Sequence, residues 1–411
     1  MRTPTLAPAA ASPNGLTRKG GWAAVGSVTL GIFVIVTAEI LPIGLLTSIG
    51  GDFTVSDGTA GLMMTLPGLL AAACAPLLTA ATARVDRRRM LCGFMALLAL
   101  ADLLAAAAPG FWLVLVSRVV VGVVIGGFWS IAAGLAERFV PERSVGRATA
   151  VIFSAVPLGS VLGVPAGTLV GDLAGWRTAF VVLGVLTMAV LALMSAVVPP
   201  LPPRGGTRLR VLRGLLRGAR TRYALALTFL LVLAHFGTYT YVTPFLERVT
   251  GVGPGRITVF LLVYGVAGVL GNFAGGAAVA RWPRGTAAAA AGGIAAVTLA
   301  LPVAGHAQAG AVALLVVWGI AYGAVPVVSQ RCFAAAAPRS PEAASVLFTA
   351  AFQATFSLGA LAGGAVLDRT SEAAVMTYGG GVALLALATV AVQARAATRE
   401  VKAATMTATR T

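Results

Sequence analysis

Charge is what this chain lacks, and lysine most of all. Only 10% of its 411 residues are charged, thirteen are acidic, and Lys19 and Lys402 are its only lysines. Ordinary soluble domains carry about a quarter of their residues charged, so a soluble globular chain is excluded. No G-x-x-x-x-G-K-[ST] stretch is present, which removes the usual nucleotide cradle. The two histidines, His235 and His306, stand in no H-E-x-x-H or G-x-S-x-G context. The sequence therefore reads as a non-enzyme needing no cofactor and no metal. Cys74, Cys92 and Cys332 are odd in number and sit in or beside apolar runs, so they read as packing residues and not as a disulfide framework.

What is present is apolar length. Hydrophobic residues make up 58% of the chain and the mean hydropathy is +0.92, the signature of a protein embedded in a lipid bilayer. Fifty glycines and twenty-one prolines suit membrane helices, where close packing and neighbouring helices compensate for both. Crossing about 30 Å of hydrocarbon takes roughly 20 helical residues. Runs of that length occur twelve times, near 22–47, 59–81, 89–108, 111–136, 146–171, 177–198, 223–247, 255–280, 285–305, 308–335, 341–367 and 373–394. The fold class expected is an all-α membrane protein of twelve transmembrane helices.

The net charge of +17 raises the question of nucleic acid, and position answers it. With both termini and the even-numbered connections on one side, 25 of the 30 basic residues fall on that side, four on the other, and Arg118 inside a span. Such asymmetry marks the cytoplasmic face, so no nucleic-acid partner is expected and the location is the bacterial cytoplasmic membrane, with both termini inside. Residues 1–21 lack the short apolar core of a cleaved signal and read as a disordered cytoplasmic tail, and 395–411 read as a second cytoplasmic tail. The stretch 199–222, "PPLPPRGGTRLRVLRGLLRGARTR", reads as a basic linker between a bundle over 22–198 and another over 223–394. Its apolar spacing with arginines between suggests an amphipathic helix on anionic headgroups.

The halves repeat. "ARVDRR" (83–88) recurs as "ARWPRG" (280–285) and Gly122 and Gly126 as Gly319 and Gly323, all 197 residues on; "LGSVLG" (158–163) recurs as "LGALAG" (358–363), 200 residues on. Two pseudo-symmetric six-helix bundles describe a secondary transporter, working as a monomer, with the site for a small-molecule substrate between them.

Ionisable groups inside spans are the first functional candidates. Glu39, Asp102 and Arg118 lie about 12, 9 and 10 Å from the outer ends of helices 1, 3 and 4, at 1.5 Å per residue. Helices 3 and 4 form a hairpin, so Asp102 and Arg118 stand at matching depth and a structural ion pair between them is one reading. Competition of Asp102 and Glu39 for Arg118 is another. A carboxyl removed from water takes up a proton more readily, and one that loads and unloads as its cavity opens can couple a proton gradient to solute movement. A hydrogen-bonded structural Glu39 beside Pro42 is the alternative. For the solute, His235 near mid-membrane with Tyr239 and Tyr241 offers rings and polar tips suited to a nucleobase, sugar or planar drug. Gln353, Phe352 and Phe356 lie at similar depth on helix 11, and Trp129, Asn272 and Gln330 are further candidates; each has packing as its alternative. Gly159, Gly163 and Gly167 are four apart on one helical face, permitting close approach, while Pro165 interrupts the ladder.

At these residues the chain resembles the major facilitator superfamily, in its drug:proton antiporter branch. The likeness rests on "RVVVGVVIGGFW" (118–129), "LGSVLGVPAG" (158–167), "GDLAGWRTAF" (171–180) and "ARVDRRR" (83–89). A closer similarity, to bacterial purine ribonucleoside and sugar efflux carriers, rests on "TAEILP", "FWSIAAGLAERFVPERSVGRATAVIF", "HFGTYTYVTPFLE", "WGIAYGAVPVVSQ" and "GGAVLD". The resemblance implies the major facilitator fold, proton-coupled efflux by alternating access, Arg118 in proton relay, and Gly163, Pro165 and Gly167 as the antiporter hinge. It also implies a gating loop at Arg84, Asp86, Arg87 and Arg88. There the chain departs from the family pattern: Thr79 and Ala83 stand where glycine and aspartate are usual, and Asp86 is displaced by three residues. A proton-coupled importer and an uncoupled facilitator share the fold and are the alternatives.

Overall fold

The computed structural model describes residues 18–81, 85–132, 135–202, 214–338 and 340–408. Arg84, residues 1–17 of the tail, and the linker residues 203–213, which include the first part of the expected amphipathic stretch, lie outside them. Twelve helical segments are long and apolar enough to cross a membrane: α1 (Lys19–Gly44), α2 (Asp57–Ala75), α3 (Arg87–Ala106), α4 (Phe111–Trp129), α5 (Glu142–Ala174), α6 (Trp176–Val197), α7 (Ala219–Arg248), α8 (Gly255–Arg281), α9 (Pro283–Ala304), α10 (Gln308–Ala336), α11 (Ala343–Leu367) and α12 (Glu372–Arg395). No strand occurs among the described residues. The helix carrying α12 continues to Ala408.

Local chemistry sets several of the boundaries. Ser56 caps the start of α2 by accepting from the Thr59 N–H, and Asp86 caps α3 by accepting from the Arg88 and Arg89 N–H groups, each satisfying donors that a helix start leaves bare. Pro283 opens α9, where its missing N–H is harmless. A single residue, Gly175 at φ +85°, turns α5 into α6, a conformation that favours glycine.

The helices pack in the same order twice. In the first bundle α2 lies against α4, α3 against α6 and α1 against α5; in the second, α8 lies against α10, α9 against α12 and α7 against α11. The glycine repeat explains the match. A Cβ at Gly122 would sit 2.5 Å from the Pro67 carbonyl oxygen and one at Gly126 2.7 Å from that of Ala71. Their counterparts, Gly319 and Gly323, approach the Tyr264 and Gly268 carbonyls in the same way, each again 197 residues on. Likewise Gly159 and Gly163 of α5 close on α1, and Gly359 and Gly363 of α11 close on Gly237 of α7.

Between the bundles, α2 packs on α11 and α5 on α8. The polar links between them gather away from the end where α1 begins and α12 leaves the bilayer region. Ser56 Oγ and the Gly58 N–H donate to Asp368 at 2.9 and 3.0 Å. Arg248 of α7 pairs across the interface with Asp57 at 2.6 Å and, within its own bundle, with Glu372 at 3.0 Å. Thr47 donates to Glu247 at 3.0 Å, and Thr243 to the Ile43 carbonyl at 2.9 Å. A polar cavity of about 350 Å³ opens beside this latch.

Candidate functional site: a carboxylate between two bundles

Glu39 is 8% exposed and sits where α1 meets the second bundle. Its carboxylate accepts a 2.8 Å hydrogen bond from Gln353 Nε2 of α11. Gly68 makes this approach possible, because a Cβ there would lie 2.6 Å from the Gln353 carbonyl oxygen. The sequence reading assigned Glu39 to protons and Gln353 to solute; the structure brings them into direct contact.

Arg118 is fully buried. Its Nε donates to the Met63 carbonyl and its Nη2 to the Glu39 carbonyl, both at 3.0 Å. The ion pair considered for the α3–α4 hairpin is not formed: no Arg118 nitrogen lies within 4.0 Å of an Asp102 carboxylate oxygen. Matching depth did not mean matching direction. Arg118 turns toward α1 and α2, while Asp102 turns toward α6, where Thr187 donates to one carboxylate oxygen at a long 3.5 Å and the other oxygen has no partner. Arg118 remains within electrostatic reach of both carboxylates.

The second bundle holds an aromatic cluster around His235. The imidazole lies parallel to Tyr322 with centroids 3.4 Å apart and stacks on Tyr239 at 5.1 Å. Trp318 meets it edge-on at 5.7 Å. Nε2 is 3.4 Å from the Tyr264 hydroxyl, whereas His235 Nδ1 and Trp318 Nε1 are buried without a hydrogen-bond partner. Phe236 joins Phe356 and Phe352 to this cluster, at 4.0 and 6.2 Å. Tyr322 is partly exposed and lies within electrostatic reach of Glu39, so acid and rings form one site. Tyr264, Trp318 and Tyr322 were missed from sequence, although Trp318 and Tyr322 are four apart on one face of α10.

Other candidates lie elsewhere. Tyr241 is not with Tyr239: the helix breaks at Thr240, and the Tyr241 hydroxyl donates to the Ala360 carbonyl at 2.6 Å beside Gly61 and Gly364. Trp129 meets Phe153 at a tilt, with ring centroids 5.9 Å apart. Asn272 donates to the Gly323 carbonyl at 3.3 Å, tying α8 to α10. Gln330 is exposed. In α5 the glycine face is a π turn over Gly159–Gly163, with Pro165 following, and a Cβ at Gly163 would lie 2.6 Å from Thr37 Oγ1. Gly167 faces Leu41. Asp86 and Arg87 bind the Leu201 backbone, and Arg88 the Ser195 carbonyl, tying the start of α3 to the end of α6.

Two six-helix bundles meeting on a buried carboxylate, with the helices of each arranged alike, define a membrane transporter and not an enzyme. The chain belongs to the Major Facilitator Superfamily, whose family model matches residues 28–363. Over 377 residues it is 32% identical to a protein of Pseudomonas aeruginosa named transcription regulatory protein OpdE, covering 90% of this chain and 93% of that one. It is 29% identical over 374 residues to the purine ribonucleoside efflux pump NepI of Salmonella paratyphi A, covering 91% and 94%. Among solved structures it is similar to a bacterial homologue of the human lysosomal transporter Spinster in an inward-facing, occupied conformation, with a TM-score of 0.75, 18% identity, and coverage of 92% and 98%.

Proposed function

We propose that this transporter exports a small planar or hydroxylated solute, of the nucleoside, sugar or drug type, in exchange for protons, with Glu39 as the coupling acid. The observation that carries the reading is the Glu39–Gln353 hydrogen bond, a titratable group closing the contact between bundles. A protonated Glu39 can donate to the Gln353 amide oxygen; an ionised one can only accept from its nitrogen. Proton loss therefore leaves an ionised carboxylate in a buried seam, a charge that favours opening the seam to water. Arg118 steadies the Glu39 backbone, and Asp102 is a second acid behind it. Solute would stack on the partly exposed Tyr322 and Phe352 rings, with His235 and Tyr239 packed behind them, and hydrogen-bond to Gln353. With the termini in the cytoplasm, the latched end is the outer one and the structure faces inward. The π turn of α5, against Thr37, serves as hinge.

The similarity to a purine ribonucleoside pump makes a radiolabelled purine ribonucleoside the first probe. In proteoliposomes under an imposed pH gradient, Glu39→Gln keeps a hydrogen-bonding side chain but carries no proton. Uphill movement should fall to the passive level while solute exchange without a gradient persists. Undiminished uphill efflux in the variant would remove Glu39 from coupling. Inward accumulation by the parent would favour the importer, and flux indifferent to pH the facilitator. The regulatory name of one relative supports a second reading, a sensor that binds solute without moving it; saturable binding with no flux would identify it.

A further inference from the structure

Arg118 binds two backbone carbonyls, and in an ordinary α-helix such carbonyls already have partners four residues on. The Met63 carbonyl would normally accept from residue 67, and residue 67 is Pro67, which has no N–H. Arg118 Nε stands in that donor's place at 3.0 Å. We infer that Pro67 is a positioning residue: by freeing the Met63 carbonyl it anchors the Arg118 guanidinium to the α2 backbone and keeps it off the Glu39 and Asp102 carboxylates.

The internal repeat supplies a control. The backbone contacts that place Gly122 on Pro67 place Gly319 on Tyr264, so Tyr264 is the counterpart of Pro67 in the second bundle. By the same 197-residue displacement the counterpart of Arg118 is Leu315. The half with the proline has the arginine, and the half without it has neither. Leu315 is buried, and Tyr264 keeps its backbone N–H. A proline whose purpose was to bend α2 for packing would have no reason to go with a charge one helix away.

This inference rests on Glu39 being a proton-carrying group, and its test reads proton occupancy and not transport. Among the described residues, the groups acting on Glu39 are Gln353 of α11 and Arg118 of α4, with Tyr322 of α10 within reach; Asp102 of α3 acts on Arg118. In Pro67→Ala the restored N–H competes for the Met63 carbonyl, and the released guanidinium swings toward the carboxylates. Dicyclohexylcarbodiimide modifies protonated carboxyls in apolar surroundings. Labelling of Glu39 in the full-length protein, followed by peptide mass spectrometry across a pH series, should reach its half-point about one pH unit lower in Pro67→Ala than in the parent. Pro67→Gly, which restores the N–H and adds nothing to the tight α2–α4 contact, should shift the half-point alike. Pro302→Ala, removing a proline inside α9, should leave it unchanged, and in an Arg118→Lys background Pro67→Ala should add no further shift. A half-point that stays at the parent value in both Pro67 variants, each monodisperse in detergent, overturns the inference. Loss of proton coupling as a whole would show instead in the Glu39→Gln flux, whatever Pro67 does.

Discussion

Replacing Asp368 with alanine should open the latched end of the molecule. The carboxylate accepts from Ser56 Oγ at 2.9 Å and from the Gly58 N–H at 3.0 Å, both across the bundle interface. Asp368 is exposed, so each bond belongs in the lower half of the range for a net hydrogen bond, about 0.5–1 kcal/mol, and the pair contributes roughly 1–2 kcal/mol to the closed state. A difference of that size changes a two-state ratio about 5- to 30-fold. The other links remain: Arg248 to Asp57 and Glu372, with the arginine side chain 53% exposed and contributing at most about 1 kcal/mol, and Thr243 to the buried Ile43 carbonyl. The expected result is a shifted equilibrium and not a sprung gate. Nitroxides at the exposed Thr54 and Arg369, in a background with the three cysteines replaced, allow the distance distribution to be measured by double electron–electron resonance. The long-distance population should rise in Asp368→Ala. It should stay put in Asp52→Ala, whose partners Trp176 and Arg177 belong to its own bundle. Identical distributions in parent and Asp368→Ala would show that these bonds do not hold the end shut.

Two further outcomes follow from the packing. Gly163→Val places a branched side chain where Thr37 Oγ1 already limits even a Cβ; forcing α1 and α5 apart should lower stability by about 1–3 kcal/mol and slow transport, measured by thermal unfolding in detergent and by flux. Tyr264→Phe removes the contact to His235 Nε2 while Nδ1 is already unpartnered. Its loss should cost about 1 kcal/mol at most, and a variant as stable as the parent would mean that the 3.4 Å contact contributes nothing.

The spans were legible because a membrane helix declares itself by length and hydropathy: all twelve are present, most with ends within four residues of those expected, while the second and fourth end six and seven residues earlier. The repeat was legible for a firmer reason: glycines that let a carbonyl touch a Cα leave no freedom in which residue may stand there. Direction around a helix was harder to read. Depth along α3 and α4 put Asp102 level with Arg118, but it does not report that one faces α6 and the other α1 and α2. Tyr239 and Tyr241 looked like neighbours because the break at Thr240 is silent in hydropathy. The contact between Glu39 and Gln353 joins residues 314 apart in sequence, and only the closed seam between bundles makes them partners. The clue to Arg118 was visible all along, in a proline four positions beyond the carbonyl it binds, but it could be used only once α2 was known to lie beside α4.

The paired glycines also say which parts cannot move. With backbone seated directly on backbone, α2 cannot slip along α4, nor α8 along α10, by any fraction of a turn without collision. Each couple is a stiff strut. Whatever motion carries solute across must therefore be absorbed outside these couples, and α1 with α5 is the place for it: the two meet largely through the Val36 and Thr37 side chains, and their helices are interrupted at Leu45 and at the π turn.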